Sequence, residues 1–290
     1  MAKKKYVSSR FVEKSRRAAI YSILTLVSFI WLIPFVYLIF QSFIKVPTAT
    51  QFIPAANNWT LSNYGHLFGS DYPNFFAWWF NTFLIAFVTA AVQTILVLMT
   101  AYSLSRLKFA GRQALMKLIL ILGMFPGFLG MLIIYYMLSA IGLNTSIFSL
   151  IIVYTASSAM SYYIAKGFFD TISKSLDEAV FIDGGSKNTV FWRVILPLSK
   201  PIIIYTILVS FTGPWGDFMF GNYLVIAGGI GNSGYTVAVG LQILAHDGSN
   251  PWAYGVFCAG AVMVSIPITA LFFWLQRYYV EGIAGGAVKG

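Results

Sequence analysis

Apolar runs of about twenty residues or more, nearly free of charge, recur along this chain between short polar segments. The first, Ala18 to Phe43, spans 26 residues. That is long enough to cross about 30 Å of hydrocarbon and longer than a signal-peptide core, so it predicts an uncleaved spanning helix with a kink at Pro34. A polar, nearly uncharged connection over 44–77 and the interfacial pair Trp78 and Trp79 lead to a second run, Phe80 to Leu104. The third, Leu115 to Leu138, contains Gly123 and Pro126-Gly127 and predicts a bent helix. The turn Ala140 to Thr145 precedes the fourth, Ser146 to Phe168. The fifth is interrupted: Ile202 to Phe211 is apolar, Thr212-Gly213-Pro214-Trp215-Gly216-Asp217 breaks it, and Phe218 to Ala227 resumes. The sixth, Ala253 to Leu275, carries Gly255 and Ala259 four apart, a spacing that permits close helix packing. The pattern predicts an all-α polytopic membrane protein with six transmembrane helices. Its single domain covers 18–277, between a basic tail at 1–17 and a second tail at 278–290.

One long segment between the apolar runs bears charge throughout: KSLDEAVFIDGGSKNTVFWRVILPLSKP, residues 174–201. Ser175 with Glu178 three residues on is a capping-box pattern. Leu176, Ala179 and Val180 give the ensuing helix an apolar stripe that Phe181 and Ile182 widen. Asp183 and Gly184-Gly185 stop it, glycine adopting positive φ without steric cost. A second short helix is predicted from about Asn188 until Pro197 and Pro201 break it.

Within this segment, Glu178-Ala179, Asp183-Gly184, Phe191 and Leu196-Pro197 resemble the EAA loop of bacterial ABC importer permeases, E-A-A-x-x-D-G-A-x5-F-x2-I-x-L-P. Every spacing fits; Val180, Gly185 and Val194 depart, each by a small or apolar exchange. The resemblance implies that 170–200 is a cytoplasmic loop, lying between spans four and five, whose helix docks in a cleft of an ATPase subunit. It also implies that Glu178, Ala179, Asp183, Gly184, Phe191, Leu196 and Pro197 serve that coupling. Implied partners are two ATPase subunits, a second related permease and an extracytoplasmic solute-binding protein in a bacterial cytoplasmic membrane. ATP and magnesium would sit on the ATPase subunit, with no cofactor in this chain. The C-terminal stretch RYYVEGIAGGAVKG is similar to the tail of the smaller permease of maltose/maltodextrin-type importers, where the tail reaches into the ATPase pair. A frayed glycine-rich end is the alternative.

Composition and charge support a membrane class. Of 290 residues 58% are apolar and 10% charged, against about 25% charged in soluble domains. The net charge of +10 is topological: 18 of the 19 Lys and Arg fall in the two tails, the turn near Arg106 and the segment around 174–201, leaving Lys45 on the other side. By the positive-inside rule both termini are cytoplasmic. No nucleic-acid footprint follows. Cys258 is the only cysteine, and His66 and His246 lie far apart, so neither a disulfide frame nor a metal site is indicated. No G-x-x-x-x-G-K-S/T phosphate loop and no nucleophile–base arrangement is present, which argues against an enzyme.

Two features bear on a solute path. Tyr154, Ser158, Ser161 and Tyr162, spaced i, i+4, i+7 and i+8, would share a helical face in span four. They could line a wet path or pack between helices. Asp217 is the one acid expected within a span, and it could cap the helix after the break or contact solute or a gate; its setting beside Trp215 is similar to the equivalent span of sugar importer permeases. The expectation is a permease subunit of an ATP-driven importer of a sugar, an oligosaccharide of maltodextrin type. A secondary transporter or a non-transport membrane scaffold are the alternatives; against the first, no inverted repeat or coupling acid pair is visible.

Overall fold

The computed structural model describes residues 9–45, 53, 57–69, 74–124, 127–144, 146–229, 231–248 and 250–287. Pro126, residues 1–8 of the basic tail, parts of the 44–77 connection and residues 288–290 lie outside them, as do the side chains from 279 onward. In chain order the helices are α1 Ser9–Ser42, α2 Ser62–Phe68, α3 Phe75–Arg106, α4 Arg112–Met124, α5 Gly127–Ala140, α6 Phe148–Ala156 and α7 Ala159–Thr171. Then come α8 Ser175–Ile182, α9 Lys187–Leu198, α10 Lys200–Gly216, α11 Met219–Gly228, α12 Val237–Ala245 and α13 Ala253–Ala287. Among the described residues the only β pairing is a bridge between Ile44 and Trp59.

Among the described residues three helices are long and apolar enough to cross a membrane: Glu13–Ser42, Phe75–Arg106 and Ala253–Gln276. Two pairs pass the same test together but are bent, α6 with α7 at 44° and α9 with α10 at 79°, and counting each as one span would give up to five. Within the third predicted span the described residues form α4 and α5, on either side of residues 125–126, which lie outside them.

At the centre lies α3. Its buried side chains recur every three or four residues from Phe75 to Ser105, which puts them on a face that runs its full length. It enters three apolar clusters. At one end Phe75, Trp78, Ala86 and Ala90 meet Phe211 and Trp215 of α10, Val237 and Leu241 of α12 and Ala259 of α13. In the middle Ile85 meets Leu150, Phe220 and Leu224. At the other end Val97, Ala101 and Tyr102 meet Phe169, Phe191, Ile195 and Ile202. Outside this core, α1 packs along α13 and leaves most of its apolar surface exposed.

Four sequence expectations change. The fourth span is not continuous: it breaks at Ser157-Ser158, without proline or glycine, where Ser158 donates to the Thr155 carbonyl at 2.8 Å. The fifth stays helical through Thr212–Gly216, Pro214 included, and breaks only at Asp217-Phe218. Among the described residues the first helix already includes Ser9, within the basic tail, and the last includes residues up to Ala287. Gly255 does allow a close approach, but to the Asn63 amide of α2, which a Cβ there would meet at 2.7 Å.

Candidate functional site: the 174–201 segment and the break at Asp217

The helix α8 starts without the anticipated cap. Lys174 already has helical angles, so Ser175 lies inside the first turn, and its N–H and hydroxyl bond the Ser173 hydroxyl instead. The stop is as expected and complete. Gly185 N–H donates to the Val180 carbonyl at 2.8 Å and Gly184 N–H to the Phe181 carbonyl at 3.1 Å, with Gly184 at φ +79°. This is a Schellman closure, whose left-handed position suits glycine. A capping box does occur further on: Ser186 and Thr189 bond each other's backbone N–H and start α9. Pro197 has no N–H to offer the carbonyl of Arg193, and just before it the helix widens to a π form over Val190–Ile195.

The faces of the segment are divided. Phe191 is buried beside Tyr102, ring centres 4.9 Å apart, and the Tyr102 hydroxyl donates to the Lys187 carbonyl at 2.7 Å. Leu196 is half-buried. Glu178, Ala179, Asp183, Gly184 and Pro197 are exposed. So are Leu176, Phe181 and Ile182, the last 85% exposed, so the stripe expected to seat α8 on its own chain points mostly outward. What seats α8 is Asp177, buried beside Arg106 with Nε to Oδ2 at 3.1 Å, together with half-buried Val180. Burial pushes the Asp177 carboxyl above its ordinary range, and Arg106 draws it down without cancelling the rise. Neither member of this pair stands out in the sequence as a site residue. The signals were an acid in the first turn of α8 and a cation at the end of an otherwise buried helix.

At the second break both carboxylate oxygens of Asp217 are engaged. Oδ1 accepts the Phe220 N–H at 3.0 Å, capping α11, and Oδ2 accepts the Tyr154 hydroxyl at 2.6 Å. One acid thereby ties the ends of two broken helices together. These two residues line a cavity of about 340 Å³ with Ser157, Met131, Ile134 and Phe220. A second cavity of about 650 Å³ shares Ser157 and Ile134 and adds Tyr162. The break in span four takes Tyr154 out of phase with the residues after it. Ser158 is buried and accepts Gln93 Nε2 at 2.6 Å, a bond between helices, and Ser161 lines neither cavity.

Helices of spanning length around two polar breaks, with an EAA-patterned loop of divided faces, define a transport component of a membrane. Residues 94–285 match the family described as binding-protein-dependent transport system inner membrane component, and the chain belongs to it. It is 35% identical over 233 residues to the galactooligosaccharides transport system permease protein GanQ of Bacillus subtilis (strain 168), covering 80% of this chain and 81% of that one. It is 32% identical over 273 residues to the maltodextrin transport system permease protein MdxG of the same organism, covering 93% and 95%. In fold it is similar to a chain of a bacterial ABC transporter that imports the acidic polysaccharide alginate. That match has TM-score 0.74 and 22% identity, and covers 95% of this chain and 99% of that one.

Proposed function

We propose that this chain is a permease subunit of an ATP-driven importer that moves an oligosaccharide, of maltodextrin or galactooligosaccharide type, into a bacterial cytoplasm. The observation that carries the reading is the match, over 93% of the chain, to a permease of a maltodextrin transport system. In the same reading α4 with α5 makes one span, and α6–α7 and α10–α11 are each one broken span, giving six with α1, α3 and α13. Both termini and the 174–201 segment then face the cytoplasm, in keeping with the distribution of Lys and Arg. The outward Leu176, Phe181 and Ile182 offer an apolar surface to an ATPase subunit, which would hold ATP and magnesium. Glu178 and Asp183 flank that surface with charge. A second permease and a solute-binding protein complete the assembly, and a structural neighbour is itself described in complex with a pentasaccharide-bound periplasmic protein. Tyr154, Ser157 and Asp217 at the smaller cavity, with Tyr162 at the larger, supply hydroxyl and carboxylate groups suited to a sugar path, whereas the Ser158 hydroxyl is taken up by its bond to Gln93.

The test is uptake of labelled oligosaccharides in a strain lacking only this chain. Loss of maltodextrin or galactooligosaccharide uptake, restored by the gene in trans, is expected. Unchanged uptake across the panel would refute the assignment.

A further inference from the structure

The 174–201 segment is fastened to the central helix at a buried charge, and the proposed function does not call on it. Arg106, the last residue of α3, is 4% exposed along its side chain. Its Nε meets Asp177 Oδ2 at 3.1 Å, and its Nη2 donates to the Ile172 carbonyl at 2.7 Å. One guanidinium thus grips both the chain entering α8 and the first turn of α8. Ser105 beside it donates to Asp170 Oδ1 at 2.6 Å, and Lys166 holds the other oxygen of that carboxylate.

The Arg106–Asp177 contact is unfinished. Arg106 Nε and Nη1 and Asp177 Oδ1 are buried with no aligned hydrogen-bond partner among the described residues. A guanidinium and a carboxylate pair best through two parallel N–H···O bonds. A small shift of α8 from the present arrangement would complete that fork, so the pair responds to displacement of α8. Stability alone is a weak reason for such a pair, since well-packed apolar replacements of buried ion pairs are often neutral or stabilising.

The far end of α3 is fastened in the same way. Trp78 Nε1 donates to the Asn232 carbonyl at 2.6 Å, Asn81 Nδ2 to the Ser233 carbonyl at 2.8 Å, and Thr82 Oγ1 accepts the Val237 N–H at 2.8 Å. From Thr82 to Arg106 the helix rises about 36 Å, close to the thickness of a membrane. It is continuous over that length and packs into three clusters.

We propose that Arg106 is a positioning residue that makes α3 a rod, delivering displacement of α8 to the 232–237 loop at the opposite face. This rests on reading 174–201 as the coupling loop. The physical warrant is one continuous helix held at one end to α8 and at the other to the 232–237 loop.

The test uses the assembled transporter in proteoliposomes, with solute taken up per ATP hydrolysed as the readout. Arg106→Met should retain the ATPase subunit but lose at least tenfold in uptake per ATP, with Arg106→Lys between it and the parent. Arg106→Met with Asp177→Leu should recover thermal stability without recovering uptake per ATP. Asn81→Leu should give the same uncoupling from the far end. The proposal is overturned if Arg106→Met keeps the parental ratio, if the double variant regains coupling along with stability, or if Asn81→Leu stays coupled. Phe181→Asp separates the two readings: it should shed the ATPase subunit, and retention would sink the coupling-loop assignment instead.

Discussion

At the end of α8 two departures from the EAA pattern compensate each other. The pattern has alanine at the positions of Val180 and Gly185. A Cβ on Gly185 would stand 2.5 Å from Val180 Cγ1 and 2.9 Å from the Val180 carbonyl oxygen, where carbon atoms in good contact are about 3.5–4 Å apart. The Gly185 N–H already bonds that carbonyl, and the valine packs on the cluster around Phe191, so neither can readily give way. Gly185→Ala should therefore cost about 1–3 kcal/mol as an overpacked site. Val180→Ala alone loses roughly 1 kcal/mol of half-buried apolar surface. Together they restore the two alanines and remove the methyl clash, so the pair should be milder than the sum by about 1–2 kcal/mol. If α8 docks an ATPase subunit as proposed, a change in its shape weakens that docking, where 1.4 kcal/mol is about tenfold in Kd. Titrating the ATPase subunit onto the parent, both single variants and the double variant in nanodiscs reads all four corners of the cycle. Additivity within about 0.5 kcal/mol would refute the compensation.

Two further outcomes follow from named contacts. Asp217→Asn keeps an acceptor for the Phe220 N–H and should cost about 1 kcal/mol, whereas Asp217→Leu also strands the Tyr154 hydroxyl and should cost about 2–4; equal loss of uptake in the two at equal membrane abundance would mean that the charge itself serves solute or gate. Cysteines placed at Asn57 and Asn250 should react with an impermeant reagent from outside intact cells while one at Ser186 does not; labelling at Ser186 would invert the topology.

What was legible in the sequence depended on whether the signal was local. The stop at Gly184 was readable because a left-handed position after an apolar turn has a preferred residue; a break in the fifth span was readable too, but the helix runs on through Pro214 and Gly216 and gives way only at Asp217-Phe218. The break at Ser157-Ser158 carries no such residue, and the Tyr154–Tyr162 stripe loses its phase there. Ser175 looked like a cap, but Ser173 reaches it first and helical geometry begins one residue earlier. Asp177 and Arg106 were beyond reach for a different reason. They lie 71 positions apart, and only the packing of α3 against α8 reveals that each charge has a buried partner.

The central claim is that ATP hydrolysis drives solute through this chain by way of the 174–201 segment. It is tested most directly by reconstituting the whole transporter and measuring labelled maltodextrin uptake and ATP hydrolysis together, for the parent and for Gly184→Pro. Proline fixes φ near −65° where +79° is required and constrains Asp183 before it. The account predicts ATP-dependent uptake by the parent, and a variant that inserts normally yet hydrolyses ATP without response to solute-loaded binding protein. Uptake by the parent that persists without ATP on an ion gradient, or a variant as tightly coupled as the parent, would contradict it.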